Sequence, residues 1–263
     1  MPHKHRLRLG RWPTKSLQGA FSSPEVEGTL VCLLPCVKPH GVRNLPTLGK
    51  HIIRHLLVAG TPVTVLDTVF NEEELELSTL PPSSPSLLRV HVGDIRDVMA
   101  LSSAFTADIS GVIHLAAISQ PEWCIENEKD CVDINVRGTQ MVLDALARLN
   151  SRDQGKRWFI LSSSLDIYDI KRNEPIRESA GPPTDVYGAT MVAAEKLVEE
   201  YLMGTSASTG RIHAAALRLS NVYGGLYDHI ERPVPSIATQ ALSHLVIQVF
   251  GGEQHVIFSS PPL

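Results

Sequence analysis

From residue 28 onward the apolar residues fall into two alternating patterns. Short continuous runs, GTLVCLL (28–34), PVTVLD (62–67), LLRVHV (87–92), GVIHLAA (111–117), RWFILSSS (157–164) and IHAAALRLS (212–220), have the length and apolar density of strands buried on both faces. Between them lie segments of helical spacing. In TLGKHIIRHLLVAG, Ile52, Ile53, Leu56 and Leu57 share one face and Gly60 supplies a C-terminal stop. DVMALSSAF, a long helix near Cys124 to Asn150, and VYGATMVAAEKLVEEY (186–201) complete the series. Strand and helix in alternation predict an α/β fold: a doubly wound, Rossmann-like parallel sheet with helices on both faces. The acidic, then proline- and serine-rich stretch NEEELELSTLPPSSPS (71–86) reads as a solvated loop.

Composition narrows the function classes. A chain of 263 residues with 43% hydrophobic content buries a sizeable core. Its 24 basic and 28 acidic residues, a net charge of -4, give no basic field for nucleic acid, so small molecules or proteins are the expected partners. Cys32, Cys36, Cys124 and Cys131 match no zinc spacing, and a disulfide framework is not expected. No apolar run reaches the roughly 18 residues of a membrane span. The basic, acid-free first 24 residues read as a disordered tail, with a mitochondrial presequence as the other reading, and the default location is cytoplasmic.

A strand, a crossover helix and a second strand ending in an acid form the arrangement that binds a dinucleotide, the acid accepting hydrogen bonds from the adenine ribose. Asp67 closes PVTVLD in that place. A carboxylate there repels a 2′-phosphate, which favours NAD over NADP. An aspartate ending a strand is also an ordinary turn former, so the later segments carry the case.

VHVGDIRD (90–97), VIHLAAIS (112–119), NVRGT (135–139), FILSSSLDIY (159–168), YGATM (187–191) and LRLSNVYG (217–224) follow one another in an order and at spacings that resemble the extended short-chain dehydrogenases/reductases, in the NAD-dependent epimerase/dehydratase branch that acts on nucleotide sugars. The resemblance runs from about Thr47 to Phe258 and implies a role for each matching position. Gly49 is the third glycine of the phosphate loop. Asp94 accepts the adenine amino group, with Ile95 beside the ring. Leu115, Ala116 and Ala117 let the cofactor pass close to a strand end, and Asn135 braces the helix that carries the active site. Ser162 lies on the cofactor side; Ser162 and Ser163 are expected to satisfy backbone groups. Ser164 bonds the reacting sugar hydroxyl or carbonyl, and Asn221 and Tyr223 face the sugar nucleotide. Tyr187 is the acid/base, taking the hydroxyl proton as hydride leaves for the nicotinamide. The same resemblance implies a homodimer through a four-helix bundle built from the helices near 124–150 and 186–201.

Three departures qualify it. The family places a lysine one helical turn after the tyrosine, where its ammonium acidifies the phenol; here the residue is Met191. An unperturbed tyrosine titrates near 10, so only about one molecule in a thousand carries the phenolate at pH 7. Lys196, about 900° further along the helix, faces away. In RNLPTLG, Arg43 and Pro46 stand where the first two loop glycines belong, obstructing the turn and removing an amide donor. After IQVFGGEQHVIF (247–258) only SSPPL follows, so the substrate lobe is expected to be incomplete. The expected organisation is a tail at 1–27, a dinucleotide-binding domain at 28–258 with the substrate lobe starting near 225, and a tail at 259–263. Two functional readings stay open: a nucleotide-sugar epimerase, dehydratase or reductase, impaired as written, or a non-catalytic descendant that binds a dinucleotide or a protein.

Overall fold

The structure is a computed structural model, and it describes residues 28–33, 47–152, 157–168, 183, 185–206, 212–220, 222 and 233–243. Six strands, β1 (Thr29–Leu33), β2 (Val63–Asp67), β3 (Leu88–Val92), β4 (Ile109–His114), β5 (Arg157–Ser164) and β6 (Ile212–Leu219), form one sheet in the order β3-β2-β1-β4-β5-β6. All five pairings are parallel. Helices α1 (Thr47–Val58), α2 (Val98–Ala104), α3 (Pro121–Glu126), α4 (Glu128–Val132), α5 (Thr139–Arg152), α6 (Val186–Ser206) and α7 (Pro233–Leu242) accompany it. This is the expected doubly wound α/β arrangement. The chain reverses its direction of travel across the sheet between β1 and β4, which opens a crevice at their carboxyl ends.

Period-two alternation in β1 sends neighbouring side chains to opposite faces. Leu30 and Cys32 join Ile53, Leu56 and Leu57 of α1 and Val63 and Val65 of β2 in one buried cluster. Val31 and Leu33 join Leu101 of α2, Val142, Leu143 and Leu146 of α5, Phe159 of β5 and Ala194 and Val198 of α6 in another. Each such large aliphatic side chain contributes about 1.5–3 kcal/mol on burial. The expectation of strands buried on both faces holds for β1 and β2, whereas the edge strand β3 leaves Val90 and Val92 exposed. An edge strand has only one neighbouring strand to help bury it.

Three expectations need correction. The stretch at 71–86 is not a free loop: it forms three 3-10 turns, buries Leu75 and Ser84, and is tied to α1 by Arg54, whose guanidinium donates to the Leu75 carbonyl and to Thr79 Oγ1 at 3.0 Å. The long helix near Cys124 to Asn150 is broken at Asn127 (φ -137, ψ 57) and again by a π turn at Asp133–Gly138. That first break produces the third difference, a disulfide between Cys124 and Cys131 with Cα atoms 5.2 Å apart. Seven residues of unbroken helix would hold those atoms about 10 Å apart, beyond the reach of a disulfide.

Candidate active site

Beyond the carboxyl ends of the strands lies a third buried cluster of Ile118, Cys124, Cys131, Ile134, Ile167, Tyr168, Tyr187 and Met191. Tyr187 occupies the first turn of α6. Asp185 caps that helix, its carboxylate accepting from the Gly188 amide at 2.6 Å. Gly188 packs directly on the Asp166 carbonyl, where a Cβ would overlap backbone. Glycine at this point lets the first turn of α6 approach the segment that follows β5.

Asn135 ties the site together. It lies in the π turn, is buried, and accepts from the Ile118 amide at 2.7 Å; its amide donates to the Ile118 carbonyl at 3.1 Å and to Thr190 Oγ1 at 3.0 Å. Thr190 donates in turn to the Tyr187 carbonyl at 2.7 Å. One side chain thus joins the segment after β4 to the helix bearing the tyrosine, which is the bracing role that the resemblance implies. The π turn gives the side chain its aim, since one extra residue per turn rotates the face of the helix.

Ser164 closes β5, pairs with the Asp166 carboxylate at 3.0 Å and accepts from the Asp166 amide at 3.2 Å. Burial raises the Asp166 carboxyl above its ordinary range, the Ser164 bond opposing it. Ser162 is half-buried on β5. Ser163 does not satisfy backbone as expected: its hydroxyl donates to Glu195 Oε1 at 2.5 Å. Glu195 also receives Arg218 of β6, at 3.0 Å from Nε and 2.7 Å from Nη2, and Arg218 Nη1 donates to the Tyr168 hydroxyl at 2.7 Å. This clamp across β5, β6 and α6 was missed in the sequence because its members are far apart along the chain. Its one signal was the stripe Tyr187, Met191, Glu195 at i, i+4, i+8.

Met191 is 2% exposed and packs with the disulfide, Ile134 and Tyr187. Lys196 is exposed, as its helical angle required. The place of the expected ammonium is therefore apolar.

On the cofactor side, Gly49 is buried in the first turn of α1. Asp67 ends β2, is 4% exposed, and accepts from the Val69 amide at 3.3 Å. Asp94 caps the Arg96 amide at 2.7 Å and pairs with the Arg96 guanidinium, which reaches on to Asp133 at 2.7 Å. Ile95 is buried beneath Gly138 rather than open to a surface. Leu115, Ala116 and Ala117 follow β4, the Leu115 amide donating to the Leu33 carbonyl at 2.9 Å. Asp67 and Leu115 lie at the carboxyl ends of β2 and β4, on the side of the sheet where such folds hold a dinucleotide. Arg43, Pro46, Asn221 and Tyr223 lie outside the described residues.

A doubly wound, six-stranded parallel sheet in the order β3-β2-β1-β4-β5-β6 is the Rossmann-like scaffold of dinucleotide-binding proteins. The family model for the NAD dependent epimerase/dehydratase family matches residues 47–258, and the chain belongs to that family. It is similar to the UDP-glucose 4-epimerase of Lacticaseibacillus casei, at 29% identity over 69% of this chain and 50% of that one. It is likewise similar to that of Streptomyces lividans, at 32% identity over 67% and 50%. The chain thus spans about half the length of the curated relatives it matches. Among solved structures, DesIV, a dTDP-glucose 4,6-dehydratase from Streptomyces venezuelae with NAD bound, superposes with a TM-score of 0.64 at 23% identity over 82% of this chain and 62% of that one. The UDP-glucose 4-epimerase of Thermotoga maritima superposes at 0.65 with 20% identity over 85% and 66%. No helix among the described residues is long and apolar enough to cross a membrane.

Proposed function

We propose that the chain holds NAD in the β1/β4 crevice beside a nucleotide-sugar site, and that its hydride-transfer machinery is impaired. The observation that carries this reading is Met191, buried in an apolar cluster one turn from Tyr187 where an ammonium is needed. NAD, when bound, supplies the hydride acceptor. Ser164 orients the sugar hydroxyl, and Tyr187 must remove its proton. With methionine at 191, the ammonium that would favour the phenolate is missing from that position. A UDP-hexose is the substrate class to test, since relatives at 27–32% identity are UDP-glucose 4-epimerases. The second reading, a non-catalytic binding protein, rests on the same methionine. Pairing of the helices near 124–150 and 186–201 with a second copy in a four-helix bundle belongs to this proposal and rests on the family resemblance.

The test compares the chain with its Met191→Lys variant in NADH formation and epimer exchange with UDP-hexoses between pH 7 and 10. The unmodified chain should show little or no turnover at pH 7. A lysine at 191 should lower the tyrosine pKa by about one to three units and raise turnover at least about tenfold. Its aliphatic stem can lie along the apolar cluster with the ammonium reaching toward the phenol. Robust turnover by the unmodified chain at pH 7 would overturn the impaired reading.

A further inference from the structure

The disulfide lies against the hydrogen bonds that hold Tyr187 in place. Cys131 Sγ accepts from Asn135 Nδ2 at 3.4 Å and lies 3.8 Å from Thr190 Oγ1, while Cys124 Sγ lies 4.0 Å from the Ile118 carbonyl. Asn135, Thr190 and the Ile118 backbone are the members of the brace between β4 and α6. Both cysteines are fully buried, but they sit on helices of six and five residues separated by a break at Asn127, with Ile125 61% exposed between them. Helices this short, with an exposed apolar side chain, open locally far below the cost of global unfolding.

We propose that Cys124 and Cys131 form a redox modification site for small disulfides of the glutathione class, and that its state sets how firmly Asn135 and Thr190 hold the tyrosine helix. The proposal concerns regulation of the site read above as the sugar-oxidising centre and rests on that reading for its consequence. On opening, one thiolate attacks the external disulfide RSSR, forming a mixed disulfide and releasing RS⁻. The second cysteine thiolate then attacks the protein sulfur of the mixed disulfide, closing the 124–131 bond and releasing the second RS⁻. Two protein thiols are oxidised and one RSSR is reduced to two RSH, the protons lost by the cysteines ending on the two RS⁻ released. In the closed form, Cys131 sulfur has no hydrogen and serves Asn135 as an acceptor only. In the reduced form, two thiols must fit where one S–S bond sat, the α3–α4 link is cut, and an S–H competes for Thr190 Oγ1. Oxidation should therefore tighten the brace and reduction loosen it. Cys32, buried in β1 with its thiol pushed up to about 12 by burial, stays outside the exchange.

The experiment equilibrates the whole chain in glutathione buffers of graded ratio. Differential alkylation with mass spectrometry reads the 124–131 pair, and hydrogen exchange reads residues 116–122 and 186–194. The expected result is reversible conversion between dithiol and disulfide across the series. Exchange in both segments should be at least about threefold faster in the reduced form, a difference of local opening. Cys124→Ser and Cys131→Ser, made separately so that one soluble variant suffices, should exchange like the reduced form at every ratio. A pair that stays dithiol in excess glutathione disulfide, or stays bonded in excess reduced glutathione, overturns the site. Conversion that leaves exchange in both segments unchanged overturns the coupling. None of these readouts uses turnover, so failure of the hydride-transfer reading leaves them unmoved.

Discussion

The two ends of the crevice handle charge in opposite ways. At the cofactor end, Asp67 and Asp94 keep their carboxylates at strand ends, held by short-range bonds to the Val69 and Arg96 amides and to the Arg96 guanidinium. At the catalytic end the scaffold is equally well bonded, through Asn135, Thr190, Glu195 and Arg218, yet the position one turn from Tyr187 holds a thioether. Positioning and activation are thus separable properties of such a site. A hydrogen-bond network can fix the helix that carries Tyr187 while the residue one turn on, Met191, brings no charge to it.

The sharpest way to break this contrast is to remove the brace. Asn135→Ala leaves the Ile118 amide and carbonyl without their side-chain partner in a buried setting, which should cost about 2–4 kcal/mol in urea unfolding. A loss under about 1 kcal/mol would mean that water or backbone replaces those bonds and that the scaffold is looser than described. The cofactor end should retain its NAD preference in this variant once it is folded.

Midway between the ends, His114 is buried against Phe159, its Nε2 2.9 Å from Thr139 Oγ1, and desolvation pushes its pKa down to about 4. The unfolded chain therefore binds the proton more readily than the fold does. The neutral histidine contributes stability that is fully present above about pH 6.5 and is lost as pH falls through about 4, with a total on the order of 3 kcal/mol. Urea titrations between pH 7 and pH 4 should show this decline, and His114→Gln should flatten it. A slope unchanged by the substitution would assign the acid sensitivity elsewhere.

Glu195→Ala removes the carboxylate that Arg218 and Ser163 share, so it should cost about 1–2 kcal/mol, discounted for the remaining solvent access of both side chains. Glu195→Gln, which keeps the acceptor oxygen, should cost less. Equal losses would show that the clamp works by packing and not by charge. The smallest effect is expected at the cofactor end, where Asp67→Ala should reduce discrimination against NADP about tenfold, or about 1.4 kcal/mol, measured by calorimetry with both dinucleotides. No change would remove Asp67 from the ribose site.

Much of the architecture was legible along the chain. Strand runs and the α1 stripe of Ile53, Leu56 and Leu57 depend on spacing alone, because burial against a sheet demands a fixed period. Ser164, Tyr187, Asn135 and Met191 could be singled out for the same reason, since the offsets that mark them lie within one strand or one helix. What tertiary structure alone decided were the partnerships between distant segments. Ser163 was expected to satisfy backbone and instead meets Glu195, 32 positions away. The acidic loop was expected to be solvated and is drawn onto α1 by Arg54 and by the burial of Leu75. No disulfide was expected, yet the break at Asn127 brings the Cα atoms of Cys124 and Cys131 within 5.2 Å. Local order follows from a period that neighbours along the chain share. A contact between segments depends on where each element ends and how the sheet orders its strands, and no single window of the sequence contains that information.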